Sequence, residues 1–140
     1  MKIKLIFISI VLSLLPNFML ASADFFGEGL ILFKKNELNK AKFKFEQDIV
    51  FNPKSEKSYL YLSKIFNKQE KKDLEEKNLN TVILLNPKNE EAVFNLAKLR
   101  LKESNFSESK KLIDDLLNFC KDFCLKSKKL KLEIEKSIKN

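Results

Sequence analysis

Two phrases decide the fold, Phe51-Asn52-Pro53-Lys54 and Leu85-Asn86-Pro87-Lys88. Apart from Pro16 they hold the only prolines of the 140-residue chain, and they stand 34 residues apart with an apolar residue, Asn, Pro and Lys in the same order. One more step of 34 from Leu85 reaches Phe119, at the end of another apolar helical pattern. A period of this length sampled three times is the mark of stacked structural units rather than of one irregular bundle.

Between these landmarks the apolar residues recur with helical spacing, and no stretch sustains the period-two alternation of a strand. Phe25, Gly29, Leu32 and Phe33 mark one face, and Leu38, Ala41, Phe45, Ile49 and Val50 mark the next. Tyr59, Leu62, Ser63 and Phe66 pair with Leu79, Val82, Ile83 and Leu85; Val93, Leu96, Ala97 and Arg100 pair with Leu112, Ile113, Leu116 and Phe119. Short polar breaks at Asn36-Glu37, Gln69 to Lys72 and Ser104-Asn105 separate the partners. The pattern predicts six helices of about 12 to 14 residues in three antiparallel pairs. A seventh helix is predicted over 122–140, with Phe123, Leu130, Ile134 and Ile138 on its apolar stripe, to cover the last open face.

On these residues the chain resembles the tetratricopeptide repeat (TPR) family, whose unit is a 34-residue helix pair. Counting the first repeat from residue 22, Phe25, Gly29, Leu32, Ala41, Phe45 and Pro53 take the family's fourth, eighth, eleventh, twentieth, twenty-fourth and closing places. Counted from Glu56, the second matches with Tyr59, Leu62, Ser63, Phe66, Leu79 and Pro87; counted from Glu90, the third matches with Leu96, Ala97, Ser109 and Ile113. The resemblance implies an all-α fold: a right-handed α-solenoid of three TPR-like pairs (22–55, 56–89 and 90–121, with 24–121 as the mature repeat domain) plus a C-terminal capping helix. Glu75 stands where the second repeat should have a small residue, so its pair is expected to splay or shift; Glu28, Arg100 and Lys121 are further departures.

The resemblance also implies a role, protein binding on the surface lined by the first helix of each pair. Its ligand-facing places fall on Phe26, Leu30, Phe33 and Lys34 in the first repeat, and on Lys57, Leu60, Tyr61, Lys64, Asn67 and Lys68 in the second. In the third they fall on Glu91, Phe94, Asn95, Lys98, Leu101 and Lys102. Lys34, Lys68 and Lys102 form one ladder at 34-residue spacing, and Lys64 and Lys98 form another, which suits an acidic peptide or domain edge. Phe26, Leu30 and Phe33, at i, i+4 and i+7, suit a partner's apolar anchors. The basic and amide carboxylate clamp of the chaperone-binding members is not expected, because Phe26, Leu30, Tyr61 and Glu91 occupy its places.

Composition closes other routes. With 27 Lys plus Arg against 19 Asp plus Glu the net charge is +8, yet Arg100 is the only arginine, and 13 Asn accompany the lysines. That is the drift of an AT-rich bacterial genome, and charge alone does not argue for a nucleic-acid partner. No His is present, so neither a His-based nucleophile pair nor a His metal site can form. Gly27 and Gly29, the only glycines, cannot build a phosphate-binding loop. Adjacent acids such as Asp114-Asp115 diverge by about 100° on a helix and do not converge on a substrate. No enzyme, metal or cofactor is expected.

Lys2 and Lys4, the apolar run from Leu5 to Leu15, helix-breaking Pro16 and the small residues Ala21-Ser22-Ala23 read as an export signal over 1–23, cleaved between Ala23 and Asp24. Cleavage leaves 117 residues with a net charge of +6. The expected compartment is the periplasm of a bacterial envelope. The alternative is an uncleaved anchor, extended through Phe18 to Leu20, that holds a structural scaffold at the inner membrane. Cys120 and Cys124 are the only thiols. An even count in an exported chain admits a disulfide, which a helix break at the repeat junction would allow and a continuous helix would oppose.

Overall fold

The computed structural model describes residues 24–139. They form seven helices: α1 (Phe25–Lys34), α2 (Leu38–Phe51), α3 (Glu56–Lys68), α4 (Lys72–Leu85), α5 (Glu90–Lys102), α6 (Phe106–Leu117) and α7 (Cys124–Lys139). Consecutive helices pack on one another down the chain, as in a solenoid. Among the described residues there is no strand, and no helix is long and apolar enough to cross a membrane. Ala23 and the rest of the expected signal lie outside the described residues. Asp24 caps α1, its carboxylate accepting a hydrogen bond from the Gly27 N–H at 2.8 Å.

Each pair closes where the sequence puts small residues in its eighth and twentieth places. In α1/α2 these are Gly29 and Ala41, both buried. A Cβ at Gly29 would stand 2.7 Å from the buried Phe45 ring, so only glycine admits this approach. In α5/α6 they are Ala97 and Ser109, and the Ser109 hydroxyl donates to the Ala97 carbonyl at 2.8 Å across the contact. In α3/α4 they are Ser63 and Glu75, and the expected splaying does not occur: the pair packs as closely as the others. The Ser63 hydroxyl turns back to the Leu60 carbonyl at 2.7 Å, and the Glu75 side chain leaves the contact for the surface described below.

The turns repeat as strictly as the cores. Asn36, Glu70 and Ser104, spaced by 34, all take the left-handed backbone, with φ of 60°, 57° and 59°. Each is the residue after a helix cap. The next N–H, of Glu37, Lys71 or Asn105, returns to the carbonyl of Leu32, Phe66 or Arg100 at 2.9 to 3.0 Å, closing a Schellman motif. At the other edge Pro53 and Pro87 begin tight turns, closed by Ser55 N–H to Asn52 O and Asn89 N–H to Asn86 O, each at 3.0 Å.

The third turn lacks a proline and is closed differently. Cys120 and Cys124 are bonded, with Cα atoms 5.3 Å apart, so α6 stops and α7 starts within a few residues. Glu90, at the start of α5, accepts the N–H groups of Lys121, Asp122 and Phe123 at 2.8 to 3.0 Å. These bonds hold its carboxyl below the usual range, the Phe123 N–H contributing most. α7 then buries Ser127, Leu130 and Ile134 against α5 and α6. Ile138, expected on that stripe, is exposed near the C-terminal end of the helix. Val50, expected on the apolar face of α2, is also exposed, one residue before the helix ends.

Arg100, which replaces an apolar residue in the third repeat, pairs with Glu76 of α4, Glu103 and Glu108 of α6 and so ties three helices together. These carboxylates raise its already high pKa, Glu76 most strongly.

Candidate partner-binding groove

The first helices of the pairs line a groove, with a cavity of about 340 Å³ between the second and third repeats. α3 contributes Ser63, Lys64, Asn67 and Lys68; α5 contributes Glu91, Asn95, Lys98, Leu99 and Lys102; Phe33 enters from α1 and Glu75 from α4. Places facing the groove recur three or four residues apart on each helix, which is why one helical stripe supplies so much of the wall.

Of the residues expected here, the cavity brings together Phe33, Lys64, Asn67, Lys68, Glu91, Asn95, Lys98 and Lys102. Phe26, Leu30, Lys34 and Tyr61 lie off its lining, as do Lys57, Leu60, Phe94 and Leu101, Leu60 being buried in the core. The ladder from Lys34 to Lys102 is therefore broken at its first rung, because the cavity spans the second and third pairs and takes only Phe33 from the first. The apolar anchor of Phe26, Leu30 and Phe33 is also largely consumed within the fold. Tyr61 stacks on buried Phe45 at 5.2 Å between ring centroids and receives the edges of Phe26 at 5.8 Å and Phe33 at 5.1 Å. Phe26 and Tyr61 thus pack the first pair onto the second rather than waiting for a ligand, and Phe33 alone of the triplet also lines the cavity.

The four lysines differ in what already holds them. Lys64 pairs with Glu91 at 2.8 Å and lies over the Tyr61 ring at 4.5 Å. Lys68 lies over the Phe33 ring at 4.9 Å and reaches the Asn36 amide oxygen at 3.4 Å. Lys98 and Lys102 are exposed and make no ion pair among the described residues. Available positive charge is thus concentrated at the α5 side.

Glu75 forms the floor. Although it belongs to α4, its carboxylate is 5% exposed and accepts both of its hydrogen bonds from the Asn67 amide, at 2.9 and 3.0 Å. Burial pushes its carboxyl above the usual range, against the opposing pull of Asn67, Lys102 and Lys98. The sequence reading placed Asn67 and Glu91 on groove-facing positions but took Glu75 only as a departure. The signal that could have found it is an acid in a small-residue place, one turn of chain away from an amide in the twelfth place of the preceding helix.

No protein-family model matches this sequence, and no curated protein matches it. Solved structures do. The first TPR of Spaghetti (RPAP3), bound to the HSP90 peptide SRMEEVD, superposes with a TM-score of 0.76 at 15% identity over 83% of this chain and 91% of that one. The TPR domain of Arabidopsis OM64 gives 0.72 at 17% identity, covering 80% and 92%. The Yersinia enterocolitica type III secretion translocator chaperone SycD gives 0.75 at 12% identity, covering 83% and 84%. The chain therefore has the TPR fold, an all-α helical repeat solenoid.

Proposed function

We propose that this chain is a non-catalytic protein-interaction adaptor, exported to the periplasm of a bacterial envelope, that docks an acidic peptide or domain edge in the groove between α3 and α5. The observation that carries the proposal is the cavity itself: four lysines on one wall system, three of them free of ion pairs among the described residues, with the Asn67 and Asn95 amides between them. Lysines steer an acidic segment and favour one orientation, while amides can read its backbone. Phe33 and the lysine stems supply apolar contact. Two proteins of the same fold support the role, one bound to an HSP90 peptide and the other a translocator chaperone. The disulfide between Cys120 and Cys124 accords with an oxidising compartment.

The test begins with crosslinking in intact cells to identify the captured protein, followed by binding measurements with its acidic segment. Substituting Lys64, Lys68, Lys98 and Lys102 by Glu should weaken capture by more than about tenfold, since reversed charges at an interface cost several kcal/mol together. The circular dichroism melt should still show a cooperative helical fold. Unchanged capture overturns the basic groove as the docking site.

A further inference from the structure

We infer that the edge of the solenoid carrying the inter-repeat turns docks on an anionic lipid surface, a contact separate from the groove and independent of any N-terminal segment. The turns lie in a row. Glu56, at the start of α3, accepts the side-chain amides of Asn86 and Asn89 in the next turn at 3.2 and 3.1 Å, and Glu90 reaches the turn after that. Residues 34 apart therefore stand side by side along this edge.

What they present is apolar tips flanked by lysine. Val50, Phe51 and Leu84 are 74%, 75% and 82% exposed, among the most exposed large apolar side chains described, and Val50 and Leu84 occupy the same place in successive repeats. Lys54 and Lys88, also one repeat apart, follow them beyond Pro53 and Pro87, and both are exposed without an ion pair among the described residues. Three acids of this edge are engaged in hydrogen bonds, while Asp24 at the start of α1 is exposed. Asp48 accepts the Ser58 hydroxyl at 2.5 Å, Glu56 holds the two asparagines, and Glu90 holds three backbone amides. Exposed Asp122, in the third turn, bounds the basic strip.

The opposite edge has another character. Lys40 pairs there with Glu37 at 2.6 Å and Arg100 with Glu103 at 2.9 Å, exposed Lys34, Lys35, Lys71 and Lys72 make no ion pair among the described residues, and the apolar Leu74 in its middle turn is only 41% exposed. Three tips, of which Phe51 stacks on Phe25 at 5.3 Å between ring centroids, expose on the order of a few hundred Å², short of the about 800 Å² per partner that a stable protein interface needs. Apolar tips that enter the acyl boundary, with lysines at headgroup depth, match the requirements of interfacial lipid binding.

The chain contains no Trp, so a single introduced indole reports its own site. Leu84→Trp and, as the opposite-edge comparison, Leu74→Trp are made in the full chain as its cells process it. Each is mixed with vesicles of phosphatidylcholine alone or of phosphatidylcholine and phosphatidylglycerol in equal parts. The expected result is a blue shift of Leu84→Trp emission, with quenching by spin-labelled lipid, on the phosphatidylglycerol vesicles only. Leu74→Trp should stay unshifted. Lys54→Gln and Lys88→Gln, placed in Leu84→Trp, should each lower vesicle partition about fivefold, and added salt should weaken it further. An unshifted Leu84→Trp at saturating lipid overturns the inference, as does an equal response from both indoles or from both vesicle types. A shift that grows with protein concentration in the absence of lipid would assign the edge to a second copy of the chain and also overturn it.

Discussion

Glu75 occupies a place where the neighbouring helix pairs have Ala41 and Ser109, and its carboxylate is almost wholly buried. It stays because it is long enough to leave the helix contact and meet the Asn67 amide. The arrangement has a pH signature. A carboxyl whose native pKa is raised favours the folded state while protonated, so this contribution is complete below the unfolded value of about 4.3 and is lost as pH rises through the native value. At neutral pH ionised Glu75 thus costs stability. Glu75→Gln, which keeps an acceptor for Asn67, should raise stability by about 1 kcal/mol at pH 7. The gain over the parent should shrink as urea melts are repeated at falling pH. A gain that does not depend on pH would mean that desolvation of the charge is not the cost.

At the scale of the element, helix ends carry the strain. Three Schellman turns need a left-handed residue, and the chain supplies Asn36, Glu70 and Ser104 rather than glycine. A side chain other than Asn pays about 1 to 2 kcal/mol for that conformation, whereas glycine does not. Glu70→Gly should therefore stabilise the fold by about 1 kcal/mol, read as a higher urea midpoint with an unchanged slope. Asn36→Gly should gain least, because Asn tolerates this backbone. A lower midpoint for Glu70→Gly would show that its side chain holds the turn in some other way. The breaks themselves were legible in polar residues between apolar runs. Their left-handed geometry was not, since no glycine marks it.

At the scale of the whole molecule, the seven described helices begin at Phe25, with Asp24 as their cap, so cleavage after Ala23 would remove none of them. Amino-terminal sequencing of the chain recovered from its cells should start at Asp24. A sequence starting at Met1 would favour a tethered scaffold over a released adaptor. Much of the architecture was readable beforehand. Pro53 and Pro87 announce their turns, and the small residues at 29, 41, 63, 97 and 109 announce the close helix contacts. The groove was readable in part, because the 34-residue period lets the ligand-facing places that the resemblance implies be carried from one repeat to the next. Whether Phe26 and Tyr61 face a ligand or each other depends on how two pairs stack, which spacing within one helix does not encode.

The sequence by itself determined the period, the pairing of helices and the apolar stripe of each helix, because local propensity, turn residues and 3.6-residue spacing are properties of contiguous chain. Only the tertiary structure decided how those stripes are used. It consumed Phe26 and Tyr61 in an aromatic contact between repeats, moved the cavity away from Lys34, and buried Glu75 beneath Lys98 and Lys102. It also aligned Val50 with Leu84 and Lys54 with Lys88 on one edge. These are relations between residues more than about 20 positions apart, and their energies arise from burial and charge that exist only once the repeats have stacked.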